Sequence, residues 1–121
     1  MSKRPSDKEK INKIRDAIQA VETGCCTMPL SKHIAADLDE LEIEDEDDYW
    51  QVIKTALNEI FQIGPVNAYA GRHPPEKSYD LGDAELWAYR WKSQHFGREM
   101  YIKFVIKNQR YLHVDCHENR A

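Results

Sequence analysis

The sequence predicts an α+β fold in which three N-terminal helices pack on a small antiparallel β-meander. Three observations predict it. Apolar residues recur at helical spacing, with caps, between residues 6 and 63. Glycine and proline then break every period between 64 and 84. From 85 to 117 the period shortens to two, in segments rich in aromatic and β-branched residues.

The first helix, over 7–23, opens on a capping box in which Ser6 is the N-cap and Glu9 answers it. Ile11, Ile14, Ile18 and Val21 follow at spacings of 3, 4 and 3, one helix face, and Gly24 supplies the stop. Ser31 can cap a second short helix over 32–41, with Ile34, Leu38 and Leu41 as its stripe. A third helix, from about 48 to 62, presents Trp50, Ile53, Leu57, Ile60 and Phe61 and ends at Gly64-Pro65. The stretch GPVNAYAGRHPPEKSYDLGDA (64–84) is long for a loop inside a compact domain, and such loops are usually functional or disordered. ELWAYRWK (85–92), EMYIKFVIK (99–107) and RYLHVDC (110–116) read as three strands separated by turn signals. One domain is expected over 1–121, with helices over 6–63, the loop over 64–84 and the sheet over 85–117.

Hydrophobic residues make up 41% of the chain and charged residues 31%, which suits one modest core. No apolar run approaches the roughly 18 residues a membrane span needs, so no membrane partner is expected. The polar N-terminus, MSKRPSDKEK, has no apolar signal-peptide core, and a cytoplasmic location is expected. Adjacent Cys25 and Cys26 with a distant Cys116 do not make a disulfide framework, which fits a reducing compartment. Residues 1–48 carry 7 Lys/Arg against 13 Asp/Glu, while 49–121 carry 10 against 8 and hold four of the five histidines. The C-terminal half is therefore the half that can meet a polyanion. Nine of the twelve residues at 37–48 are acidic, either a solvated run at a helix N-terminus or a docking patch for a basic partner.

The last two strands carry the chemistry. Alternation groups Ile102, Phe104 and Ile106 on one side and Tyr101, Lys103 and Val105 on the other. It groups Leu112, Val114 and Cys116 against Tyr111, His113, Asp115 and His117. Register must place both apolar sets in the core, because a one-residue slip flips a strand. Pairing Ile106 with Leu112 does so, and predicts Ile102, Phe104, Ile106, Leu112 and Val114 buried against the first and third helices. The polar face then sets Tyr101 beside His117, Lys103 beside Asp115 and Val105 beside His113. A tight two-residue turn at Asn108-Gln109 would place Tyr101 and His117 on opposite faces, and it is rejected because it would expose one apolar row. Such a face can do acid–base chemistry without a metal or cofactor. It can equally be a solvent face with a Lys103–Asp115 ion pair. A His113/Asp115/His117 metal site is the weaker alternative, because same-face neighbours on one strand stand about 6–7 Å apart. Cys116 points inward and reads as a small buried hydrophobe.

With these residues laid out, the chain resembles the MqsR-type toxins of bacterial toxin–antitoxin systems, within the RelE-like ribonucleases. The resemblance rests on the order of elements and on Lys77-Ser78, Tyr101-Ile102-Lys103 and the terminal Val114-Asp115-Cys116-His117-Glu118. It implies a RelE-like fold and a metal-independent mRNA endonuclease held by a cognate antitoxin protein, with RNA as substrate. His117, Tyr101 and Lys77 match the family's basic, tyrosine and lysine positions, and Lys103 joins them from the face argument. The family's glutamine is missing, and its region reads Trp87-Ala88-Tyr89-Arg90, where Arg90 can contact phosphate. His73 and His113 complete the candidate RNA contacts, and Trp87, Trp91 and Phe96 can either stack on bases or fill the core. The competing function is a non-catalytic protein-interaction domain using the acidic 37–48 segment or the hairpin face.

Overall fold

Apart from one two-residue strand between the first two helices, helices come first and sheet second, as the change of period predicts. The elements are α1 (Asp7–Glu22), β1 (Cys26–Thr27), α2 (Lys32–Glu40), α3 (Glu46–Ile63), α4 (Pro65–Ala68), β2 (Lys77–Ser78), a 3₁₀ turn (Tyr79–Leu81), β3 (Ala84–Glu85), β4 (Trp87–Ser93), β5 (Arg98–Lys107) and β6 (Arg110–Glu118). This computed structural model describes residues 4–28 and 32–119, without the side chains of 32–34. The expected N-cap Ser31 and the Ile34 side chain lie outside the described residues. Among the described residues no helix is long and apolar enough to cross a membrane.

Ser6 and Glu9 form the expected capping box, and Gly24 takes the left-handed φ of +76° beyond the Thr23 cap. α3 starts earlier than its apolar stripe, because Asp45 caps it by accepting from the Asp48 N–H at 2.8 Å. Its buried face is Tyr49, Ile53, Ala56, Leu57 and Ile60, so Tyr49 takes the place expected of Trp50, and Phe61 is 40% exposed.

The main sheet has the order β1-β6-β5-β4, and β2 and β3 form a separate small hairpin. The predicted meander is β4-β5-β6. β1 adds a parallel edge through Cys26↔Tyr111 and Thr27↔Leu112, too short to leave a sequence pattern. The stretch expected as a loop runs beside β4 instead: Tyr69 bridges Tyr89, Ala70 N–H donates to Ala88 O at 2.9 Å, and Leu86 N–H to Glu76 O at 2.7 Å. One sheet face packs on α1 and α3. It supplies Trp87, Tyr89, Trp91, Met100, Ile102, Phe104, Tyr111 and Cys116 to the core. Trp87 and Trp91 are thus core residues and present no face for stacking on a base.

The β5–β6 hairpin departs from the expected register. Asn108 and Gln109 both have positive φ, 53° and 64°, and Lys107 pairs with Arg110. This is the tight two-residue turn that the sequence argument set aside, in the primed form that matches strand twist. The turn-proximal pairs are Ile106↔Tyr111, Val105↔Leu112 and Phe104↔His113, but beyond a bulge they become Lys103↔Asp115, Ile102↔Cys116 and Tyr101↔His117. Val114 is the extra residue. It reverses the strand's parity, so Tyr111 and His113 face the helices while Asp115 and His117 face away. Leu112 and Val114, expected in the core, are only half-buried, as is Ile106, and Tyr111 and His113 are buried in their place. Were Val114 paired rather than bulged, the tight-turn register would carry Asp115 and His117 into the core beside Ile102 and Met100. Deleting Val114 closes the bulge and leaves Lys103 opposite Asp115 and Tyr101 opposite His117, so any activity of the polar face is expected to survive the deletion. A folded deletion variant that has lost an activity the native chain shows would contradict this register.

Candidate active site on the open sheet face

The face turned from the helices carries two rungs of cross-strand neighbours. One is Arg90–Tyr101–His117 and the other Ala88–Lys103–Asp115. Three adjacent strands thus converge on Tyr101, and no stretch of sequence alone displays that grouping.

His117 lies against Tyr101 with ring centroids 5.4 Å apart and planes 21° apart. Its Nδ1 lies 2.7 Å from Glu118 O. A carbonyl can only accept, so Nδ1 carries the hydrogen and Nε2 holds the lone pair. Asp115 Oδ2 stands 4.0 Å from that Nε2. Asp115 Oδ1 is buried without a hydrogen-bond partner among the described residues. A carboxylate kept unsatisfied beside an imidazole suits a site that must stabilise a transient imidazolium. Lys103 does not pair with Asp115 among the described residues; its Nζ lies 5.9 Å from the centroid of the Tyr101 ring. Burial raises the Tyr101 phenol above its usual range, against the pull of the Lys103 ammonium. The phenol therefore stays protonated and available as a donor. Arg90 is held by Glu99 at 3.4 Å and stays open to solvent.

The strand carrying His117 is fixed from its outer edge. β1 covers β6 only at Tyr111 and Leu112, so the donors beyond it need other partners. α2 provides them. Asp37 Oδ2 accepts from Cys116 N–H at 2.8 Å and Glu40 Oε2 from Glu118 N–H at 2.9 Å. These bonds flank His117. Both carboxylates belong to the acidic 37–48 run, which the sequence offered as solvated or as a docking patch. Asp37 is neither, being 2% exposed, and burial pushes its carboxyl up to about 6. Nothing local marks it, because its partner lies 79 residues away.

Behind the strand runs a buried polar chain. Tyr111 Oη is 2.8 Å from His113 Nδ1, His113 Nε2 is 2.9 Å from Tyr49 Oη, and Tyr49 Oη donates to Asp37 Oδ2 at 3.4 Å. One assignment satisfies every atom: Tyr111 donates to Nδ1, and Nε2–H donates to Tyr49. His113, expected as an RNA contact, is instead 1% exposed on the helix face. Burial drives its imidazole down to about 3, so it stays neutral. It also cannot share a metal ion with Asp115 and His117, which face the other way. Among the described residues no group of three or more His, Cys, Asp or Glu side chains can hold a metal ion.

Two further expected residues stand apart. His73 packs edge-on against Tyr69 at 5.4 Å, within the aromatic group of Trp87 and Tyr89. Lys77 is exposed on β2 opposite Glu85, whose carboxylate is bound by Arg4 at 2.8 Å. Neither touches Tyr101 or His117 among the described residues. The side chains brought together are therefore Tyr101, Lys103, Asp115 and His117, as the face argument expects, with Arg90 on the neighbouring strand. Cys25, Cys26 and Cys116 are free thiols, and Cys116 is buried as expected. No model of a known protein family, no curated protein and no solved structure matches the chain, so the reading of this face stands on its own geometry.

Proposed function

We propose that this face cleaves single-stranded RNA without a metal, in the manner of the RelE-like toxins that the sequence resembles, and that a cognate antitoxin protein restrains it. The observation that carries the reading is the Arg90–Tyr101–His117 rung, with the bare Nε2 of His117 beside Asp115. In the proposed reaction Nε2 takes the proton of a 2′-hydroxyl, and O2′ attacks the adjacent phosphorus. Asp115 stabilises the imidazolium that forms. Lys103 and Arg90 balance the charge on the phosphorane oxygens. The P–O5′ bond breaks as Tyr101 donates its phenolic proton to the leaving oxygen. The imidazolium proton then restores the phenol through solvent, and the products are a 2′,3′-cyclic phosphate and a 5′-hydroxyl.

Incubating the purified chain with a labelled single-stranded RNA tests this. Cyclic-phosphate ends, unchanged by EDTA, are the expected products; 3′-hydroxyl ends or loss of activity in EDTA would overturn the mechanism. Binding should also weaken as salt rises, by a slope of about 1.4 in log–log terms for two contacts to a single strand from Arg90 and Lys103. Affinity that stays flat with salt would remove the phosphate contacts.

A further inference from the structure

Beside the rung lies a cavity of about 250 Å³ that the mechanism leaves unused. Its floor is Ala88, its inner wall Tyr101 and Lys103, and its outer wall the 70–76 segment, including Gly71, Arg72 and Glu76. The outer wall is built rather than incidental. Its two ends are tied to β4 and to the residue just before it, Ala70 N–H to Ala88 O at 2.9 Å and Leu86 N–H to Glu76 O at 2.7 Å. Between those ties the chain bows outward, since residues 70–76 span only the length of 86–88. Tyr69 Oη braces the bow by donating to Arg72 O at 2.7 Å. That brace needs glycine at 71, where a Cβ would sit 2.5 Å from the same hydroxyl. Arg72 and Glu76 stand at the rim, 4.0 Å apart, with side chains 78% and 48% exposed.

We propose that this cavity seats one base of the RNA strand beside the bond that is cut, and that Glu76 selects bases carrying an exocyclic amino group. The inference rests on the reading of the neighbouring rung as an RNA-cleaving site. The cavity is smaller than the roughly 300–1,000 Å³ that hold drug-sized ligands, and one flat heterocycle fits the scale. Single-stranded RNA is read by splaying a base out and bonding its edge. The Glu76 carboxylate only accepts, so it pairs with the amino group of adenine, cytosine or guanine and meets the carbonyl of uracil with repulsion. Arg72 and Lys103 lie on opposite walls, where they can meet the phosphates on either side of the seated base.

The probes are fluorescein-labelled 2′-O-methyl pentamers of adenosine, cytidine and uridine, which lack the attacking hydroxyl and so report binding alone. Native protein should bind the adenosine and cytidine pentamers about tenfold or more tightly than the uridine one. Glu76→Ala, at an exposed rim, should keep the fold and erase that preference. Ala88→Leu should fill the floor and weaken all three by about tenfold or more. Equal binding of the three pentamers by native protein, or a preference that survives Glu76→Ala, would overturn the selection by Glu76. A folded Ala88→Leu that binds like native protein would overturn the seat. If cleavage to cyclic phosphate persists alongside either result, the catalytic reading stands and this inference alone fails. If native protein binds none of the pentamers and cleaves no RNA, both fall.

Discussion

His117→Ala is expected to cleave RNA about 10²–10⁴-fold more slowly than the native chain, with little change in its melting temperature. The loss is large because one side chain supplies the base, and the Glu118 carbonyl holds it in one tautomer. Nδ1–H is committed to Glu118 O, so Nε2 alone can accept the proton. The fold should tolerate the change, since the ring lies on the face turned from the helices and, among the described residues, stacks only on Tyr101. The same substitution should relieve any growth arrest that the native chain causes on expression. His117→Ala protein that cleaves at the native rate would remove His117 from the mechanism. If native and variant chains are equally inert towards RNA and towards growth, the rung is not a ribonuclease site and the binding-module reading gains.

His113→Phe is expected to destabilise the protein by about 2–4 kcal/mol at neutral pH, and the deficit should shrink as the medium is acidified. Phenylalanine keeps the ring but breaks the buried chain. Tyr111 loses its acceptor and Tyr49 loses a donor, both inside the core. The pH dependence follows from the imidazole. Its folded value, about 3, lies below the ordinary 6.5, so below pH 6.5 the unfolded chain binds the proton more tightly. The native protein therefore holds the full stabilisation above pH 6.5 and loses it as pH falls towards 3. By pH 5 that loss is about 2 kcal/mol, which the variant does not suffer. The Asp37 carboxyl works in the opposite sense. It is raised to about 6 from 3.8, so its ionisation lowers stability as pH rises between those values, in both chains. Thermal melts of native and variant protein at pH 7 and pH 5 measure the gap. A gap that is constant or widens in acid would show that His113 is not a neutral, buried acceptor.

Periodicity alone determined much of this protein. The Ser6–Glu9 capping box, the α1 stripe, the stop at Gly64 and the three strands of the meander are short-range features. Each is set by backbone bonding and side-chain alternation over a few residues, so each is written locally. Tyr101 beside His117 was legible too, because the apolar row of β5 must meet an apolar partner. What sequence could not supply was the route to that pairing. Strict alternation allows either the tight turn at Asn108-Gln109 or the correct polar face, not both. Val114 reconciles them by bulging, a choice made by the fit of Tyr111, His113 and Cys116 against α3 and α2. The uses of Asp37 and Glu40 were also beyond reach, since their strand-edge partners lie 79 and 78 residues away. So was the path of the 64–84 stretch, which is tied to the sheet through the bond from Ala70 N–H to Ala88 O and the Tyr69–Tyr89 bridge. Local interactions are encoded in neighbouring residues, whereas the parity of a bulged strand and the capping of its edge depend on distant groups. Those are fixed only when the helices close over the sheet and every buried donor must find an acceptor.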